Sequence, residues 1–318
     1  MTYSIYLRRT LISFLICCFI FLAAVSCQIG VVVGDWSQRI VDLYEIKSGI
    51  AEATESPKLV IISGSNGLLG ISCKIIHEET GVSCVNGATN AVIGIDYILS
   101  RARSWLNPGD TVLMPLEFHH YQYDGVPNKQ YINYIFSRDP KYLLSVDWLT
   151  KIRFFMGISW ERLQLGIEKK INPRPPDGRV YKTLNQYGDE TKLSEAKMTA
   201  KEINKVAAET PLEIGGYIKS SYGMRSIKTF LKWCKENKVQ VIATWPNTIW
   251  FEVYKYKKYQ IFFKSIEDFY EKFDVPMVGQ YRDSMYNKSM FYDSKYHLHD
   301  RGVRHRTKKL IELLRPYL

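Results

Sequence analysis

The sequence predicts an α/β protein, a three-layer arrangement of a parallel sheet flanked by helices, preceded by one amino-terminal transmembrane helix. Three observations predict it. Leu11 to Gly34 is an uncharged, mostly apolar stretch, a strand-helix alternation begins at Lys58, and a similar alternation returns after Ser226. Buried parallel strands read as short continuous apolar runs separated by helix-length segments.

The apolar stretch is long enough for a membrane-spanning helix, which needs roughly 20 residues. Arg8 and Arg9 precede it and Asp35 follows it. This polarity favours a cytoplasmic amino end, with a single pass through the cell membrane and the rest of the chain outside the cytoplasm. Residues 1–34 are therefore assigned to a cytoplasmic tip and anchor. Two alternatives remain open: Ala24-Val25-Ser26-Cys27 resembles a bacterial lipobox in which Cys27 is lipidated, or the segment is a cleaved signal peptide. Residues 35–55 read as a membrane-proximal linker, and 56–318 as one domain.

Lys58 to Ser63 reads as a buried strand, Leu68 to Thr80 as a helix and Val82 to Val85 as a second strand. Val92 to Leu106 reads as a helix and Asp110 to Leu116 as a third strand, which makes βαβαβ. The late pattern gives a helix over Ser226 to Asn237, a strand over Val239 to Thr244, a helix over Ile261 to Phe273, a strand over Pro276 to Val278 and a closing helix over Thr307 to Leu314. Between the two halves, residues from about 120 to 224 are rich in Tyr, Lys, Asn and Pro, with a loop at Pro173 to Pro176. They read as an insertion over the sheet's carboxyl edge, where α/β proteins bind ligands.

The formal charge of +11 suggests attraction to anionic headgroups or acidic glycans, and an extracytoplasmic location argues against nucleic acid. No zinc spacing and no glycine-rich nucleotide loop is present, so neither a metal nor another cofactor is expected. Of six cysteines, Cys73, Cys84 and Cys234 lie in the extracytoplasmic part. Cys73 and Cys84 can pair in an oxidising compartment, and buried thiols are the alternative.

Ser65 follows the first strand, and Asp293 and His297 precede the last helix. A hydroxyl, an imidazole and a carboxylate are the parts of a nucleophilic charge-transfer system. Ser65 has a second reading as a helix cap, and His299-Asp300 offers a competing acid/base pair. Glu117 either orients a substrate hydroxyl or acts as a capping or salt-bridging carboxylate. His119 and His120, taken as neighbours on a strand, point to opposite faces and make no metal pair. Trp245 and Asn247 follow a strand and so fall at the ligand edge. Trp250 to Tyr259 reads as core and solvated face, with sugar rings and anionic groups as the alternative ligand of its aromatic and lysine side chains. The basic cluster Arg301, Arg304, His305, Arg306, Lys308 and Lys309 reads as a solvated helix face, with lipid phosphates as its alternative partner.

These residues resemble the SGNH hydrolase superfamily, the GDSL-type esterases and acyltransferases, over roughly 56–125 and 226–318. The likeness is nearest to membrane-anchored members associated with surface polysaccharides. Ser65 in Ser63-Gly64-Ser65-Asn66 takes the place of the family's nucleophile, and His297, Leu298, His299 and Gly302 fit its last block. The resemblance implies an SGNH/flavodoxin-like fold, a Ser65-His297-Asp293 triad, and an esterase or O-acyltransferase acting on an extracytoplasmic polysaccharide. It also implies a multispanning O-acyltransferase as partner. There are two departures. Asp293 stands four residues before His297, where the family has three, and Met114 to His120 replaces the Gly-x-Asn-Asp block. Oxyanion donors then fall to the backbone of Ser65 and the Asn86-Gly87 loop, with Asn90 or a residue from the insertion as a side-chain donor. The alternative is a non-catalytic glycan-binding or scaffolding component of an export complex.

Overall fold

The structure, a computed structural model, describes residues 3–34, 36–172, 181 and 183–318. Along the chain the elements are α1 (Tyr3–Ser26), α2 (Trp36–Ala53), β1 (Leu59–Ile61), α3 (Ser65–Leu68), α4 (Cys73–Thr80), β2 (Cys84–Asn86), α5 (Ile95–Ala102), β3 (Thr111–Met114) and α6 (Phe118–Gln122). Then follow α7 (Lys129–Arg138), α8 (Tyr142–Ser145), α9 (Trp148–Met156), α10 (Trp160–Ile171), α11 (Ala200–Ala208), α12 (Tyr222–Glu236), β4 (Gln240–Thr244) and β5 (Thr248–Ile249). The chain ends with α13 (Lys257–Glu271), β6 (Met277–Val278), β7 (Met285–Tyr286), β8 (Phe291–Ser294), β9 (His297–Leu298) and α14 (Asp300–Leu314).

Two compact units divide the chain, one of residues 1–41 and 126–180, the other of 42–125 and 181–318. The second holds a five-stranded sheet in the order β2-β1-β3-β4-β6. Every pairing in it is parallel. Leu59, Val60 and Ile61 of β1 are fully buried, as are Val112, Leu113 and Met114 of β3. Central strands covered on both faces demand this continuous apolar character. The chain steps from β1 to β2 on one side and then crosses back to β3 on the other. Right-handed crossovers therefore place α4 and α5 on opposite faces and leave a switch point between the carboxyl ends of β1 and β3.

The helix expected over 68–80 is broken. Gly70 sits where an added Cβ would lie 2.4 Å from Asn247 Oδ1 and 2.6 Å from Arg306 Nη1, so the chain bends around two buried polar side chains. A new helix starts after Ser72, whose hydroxyl accepts from Ile75 N–H. Asp189 also accepts the N–H groups of Cys73 (2.8 Å) and Lys74 (2.9 Å), an arrangement that satisfies free donors at a helix start. The strand expected over 82–85 is displaced to Cys84–Asn86, and the helix expected from Val92 begins at Ile95.

Residues 36–53, inside the stretch read as a linker, form a helix. From it the buried Lys47 donates to the carbonyls of Asn86 and Gly188. The segment read as an irregular insertion is largely helical in its described part, and Pro173 to Pro176 lies outside the described residues. Its short helices carry their own caps: Asn128, Asp147 and Ser159 each accept an N–H two or three residues on.

Cys73 and Cys84 form a disulfide that ties the start of α4 to β2. It closes a short loop, with a sequence separation of 11. Chain-entropy arguments put the cost of removing such a bridge at about 3 kcal/mol. The Cys73→Ser/Cys84→Ser double variant is expected to lose about that much in urea denaturation. An unchanged midpoint would show that the bridge adds nothing.

Candidate active site

Ser65 opens a four-residue helix directly beyond the carboxyl end of β1. Its hydroxyl does not cap that helix. The N-cap is Gly64, and the cap hydrogen bond comes instead from Ser63 Oγ, which accepts Gly67 N–H at 3.1 Å. Ser65 Oγ–H instead donates to His297 Nε2 at 2.9 Å, and His297 Nδ1–H donates to Asp293 Oδ1 at 2.6 Å. The Asp293 contact settles the imidazole's tautomer and leaves Nε2 as the acceptor. The His297 and Asp293 side chains are 23% and 31% exposed, so the pair is reachable and partly desolvated.

The additional residue between acid and base is absorbed in a strand. β8 and β9 form an antiparallel hairpin in which Phe291 pairs with Leu298 and Ser294 with His297. The register shift between Phe291 and Ser294 turns Asp293 toward the ring. The extra residue calls for a local bulge or for a turn at Ser294 to Tyr296, and of these the structure shows the bulge, which lies in β8. Burial opposes ionisation of Asp293, but the hydrogen bond and charge of His297, with Lys205 nearby, outweigh it and hold the carboxyl below its ordinary range.

The hairpin is held on both sides of His297. Asn247 Nδ2–H donates to Tyr296 O at 2.7 Å, and Leu298 N–H donates to Leu69 O at 3.0 Å. Beneath it lies a small apolar cluster of Val206, Ile249, Phe291 and Leu298. Val206 belongs to α11, so part of the segment read as an insertion supports the acid.

Glu117, from the loop after β3, is fully buried and accepts the N–H groups of Gly64 and Asn66, both at 3.0 Å. Of its two sequence readings, the structure shows the capping carboxylate, locking the backbone on either side of Ser65. Burial opposes ionisation here too, but the imidazoles of His120 and His119 and the Asn66 N–H outweigh it and hold the carboxyl below its ordinary value. His120 lies 3.6 Å from Glu117 and is itself pulled to about 3 by burial. His119 and His120 lie on helix α6, not on a strand.

Glu117→Gln keeps one acceptor oxygen and loses the other. It is expected to cost about 2 kcal/mol at neutral pH, the scale of one charged hydrogen bond. A depressed carboxyl contributes stability above its unfolded value of about 4.3, and that contribution is lost as pH falls through the folded value. The gap between wild type and variant should therefore close in acid, as denaturation midpoints at several pH values will show. A pH-independent gap would contradict this.

The expected oxyanion donors divide. Gly87 N–H is already engaged by Val85 O at 3.1 Å, and an added Cβ there would lie 2.9 Å from the Trp105 ring, so Gly87 shapes the loop and offers no free donor. Asn90 lies in the loop that passes over Gly64, where an added Cβ would lie 2.4 Å from Ala91 Cβ. Asn90 Oδ1 accepts from Val92 N–H, while its Nδ2 has no acceptor among the described residues. Among the first N–H groups of α3, those of Asn66 and Gly67 are taken by Glu117 and Ser63. The Ser65 N–H has no acceptor among the described residues.

His299 is removed from the chemistry. It is buried and is the N-cap of α14, its Nδ1 accepting Gly302 N–H at 3.3 Å and its Nε2–H donating to Ser289 O at 2.7 Å. Glu195 and Asp300 lie beside it, but both ring nitrogens are already engaged. Trp245 and Asn247 are buried, against their placement at the ligand edge; Trp245 Nε1–H donates to Gly279 O.

One residue was assigned to the wrong environment. Arg306, read as part of a solvated basic face, is 3% exposed. Its guanidinium donates to Asn66 O (3.1 Å), Trp245 O (3.1 Å) and the side-chain oxygen of Asn247. It therefore ties the helix that carries Ser65 to the residue that holds Tyr296. The signal was in the periodicity, because Arg306 falls four residues after Gly302 and four before Leu310, both buried.

No family model matches this chain, and no curated protein matches its sequence. A hydroxyl bonded to an imidazole that is bonded to a carboxylate can activate oxygen for attack on an acyl carbonyl.

Proposed function

We propose that this protein is a membrane-anchored serine esterase or O-acyltransferase of the SGNH-like type, acting on an ester-bearing polysaccharide outside the cytoplasm. The continuous Ser65-His297-Asp293 hydrogen-bonded array at the sheet's switch point carries this reading. The apolar α1, long enough to cross a membrane, supports the anchor. The Cys73–Cys84 bridge supports an oxidising compartment.

In this mechanism Ser65 Oγ attacks the acyl carbonyl carbon while its proton passes to His297 Nε2. The oxyanion takes the Ser65 N–H and the Asn90 carboxamide as donors. Collapse breaks the bond to the leaving alcohol, which receives the proton from His297, and leaves an acyl-Ser65 ester. Water, or a sugar hydroxyl in transfer, then gives its proton to His297 and attacks the ester carbonyl; collapse breaks the acyl–Oγ bond, His297 returns the proton to Ser65 Oγ, and the free acid or the new sugar ester leaves. Asp293 stays ionised throughout and stabilises the imidazolium. For transfer, a multispanning O-acyltransferase would supply the acyl group.

The second reading, a non-catalytic glycan-binding component, is favoured by the engaged Gly87 N–H, since one missing oxyanion donor costs on the order of a hundredfold in rate. A serine-directed fluorophosphonate separates the two. Wild type is expected to be labelled and Ser65→Ala to remain unlabelled. Equal labelling, or none in wild type, would remove the enzyme reading.

A further inference from the structure

We propose that the apolar faces of α9 and α10 lie in the headgroup boundary of the bilayer that α1 enters, so that a surface as well as a helix holds the protein on the membrane. The proposal rests on α1 being inserted in lipid.

On α9, Trp148, Ile152 and Met156 recur every four residues and are exposed by 71, 45 and 69%, while Thr150 and Phe154 opposite them are buried. On α10, Trp160, Ile167 and Ile171 form a second stripe, exposed by 71, 56 and 71%, opposite the buried Arg162 and Gly166. Leu144 of α8 adds a further exposed apolar side chain at 81%. Side chains of this size do not ordinarily gather on a surface that faces only water.

The occupant follows from the chain just after α1. That helix ends at Ser26, and the residues beyond it are gripped at once. Gly30 N–H donates to Phe136 O at 2.8 Å, Ser137 Oγ–H donates to Val31 O at 3.0 Å, and Arg162 donates to the carbonyls of Gln28 and Val31. At Gly166 of α10, an added Cβ would lie 1.6 Å from Gln28 Oε1. Five residues of extended chain reach at most about 18 Å. Helices α7 and α10 are therefore held near the plane where the chain leaves the lipid. Tryptophan beside aliphatic side chains, with the exposed Lys141 and Lys170 in the same unit, is the composition of helices that lie in the interface of an anionic membrane.

The test uses the full chain reconstituted into vesicles of phosphatidylcholine and phosphatidylglycerol whose acyl chains are brominated near the headgroup. Lipid bromine should quench tryptophan fluorescence in wild type. Trp148→Phe/Trp160→Phe, which keeps the face apolar, should lose the greater part of that quenching. Resistance to alkaline carbonate extraction reads the anchor independently. Equal quenching in both proteins, with the anchor retained, overturns the docking face alone. Extraction by carbonate with the quenching difference preserved removes the anchor and keeps the face, and extraction with the difference lost overturns both. Tryptophans shielded from bromolipid and from aqueous acrylamide alike would put a protein partner on this face and overturn the proposal.

Discussion

Asp293→Asn is expected to leave the fold intact and to slow acylation of Ser65 by about four orders of magnitude, the scale known for the comparable change in serine proteases. The reason is local. Asp293 Oδ1 accepts His297 Nδ1–H at 2.6 Å, and an asparagine presents either a neutral oxygen, which stabilises the imidazolium poorly, or an N–H, which forces the ring into the tautomer that cannot accept the Ser65 proton. The comparison is His299→Ala. That residue caps α14 and reaches neither Ser65 nor Asp293, so its loss should cost about 1 kcal/mol of stability and leave the acylation rate near that of wild type. Rates of fluorophosphonate labelling, measured on folded protein, decide between them. A near-normal rate for Asp293→Asn would mean that the carboxylate takes no part in activating Ser65. The pH dependence has a definite sign. Because the Asp293 carboxyl is held below its ordinary range, its contribution persists above about pH 4 and fades only in stronger acid.

Much of this site was legible because its parts lie beside strong local signals. An apolar run broken by Ser-Gly-Ser-Asn-Gly announces a strand meeting a turn, and Ser65 was found there. Asp293 and His297 stand close together in sequence, so their contact needs only a local irregularity, and the bulge in β8 supplies it. What sequence reasoning missed depends on burial, which spacing alone does not reveal. Glu117 reads equally as a substrate-facing carboxylate and as a cap, and only the N–H groups of Gly64 and Asn66 that converge on it from the turn after β1 and from α3 decide for the cap. Gly87 was credited with a free donor that Val85 O already occupies. Arg306 was grouped with its basic neighbours because charge along α14 outweighed its place on the buried face. The helices of 129–171 were missed because their Tyr, Lys and Asn content reads as loop unless the caps are weighed first.

Arg306 carries the other large expected effect. Burial pulls its guanidinium down to about 10, so it remains a cation at neutral pH, and oxygens from Asn66, Trp245 and Asn247 surround it. Arg306→Leu removes that donor and leaves the buried carbonyls unpaired, which should cost about 3 kcal/mol or more. Such a loss shows only that the residue is structural. Arg306→Lys is the sharper variant, because an ammonium keeps the charge but lacks the planar fork that spans two partners at once. With the fork gone, Asn66 and Asn247 are no longer held by one group, and Ser65 Oγ can drift from His297 Nε2 even though the Asp293 contact is intact. A displacement on the order of 1 Å costs roughly a hundredfold in rate. The lysine variant, labelled well below its melting temperature and shown by circular dichroism to be folded, should therefore acylate between about 10 and 100 times more slowly than wild type. A folded Arg306→Lys protein that labels at the wild-type rate would show that the arginine holds the fold together without setting the geometry of Ser65 and His297.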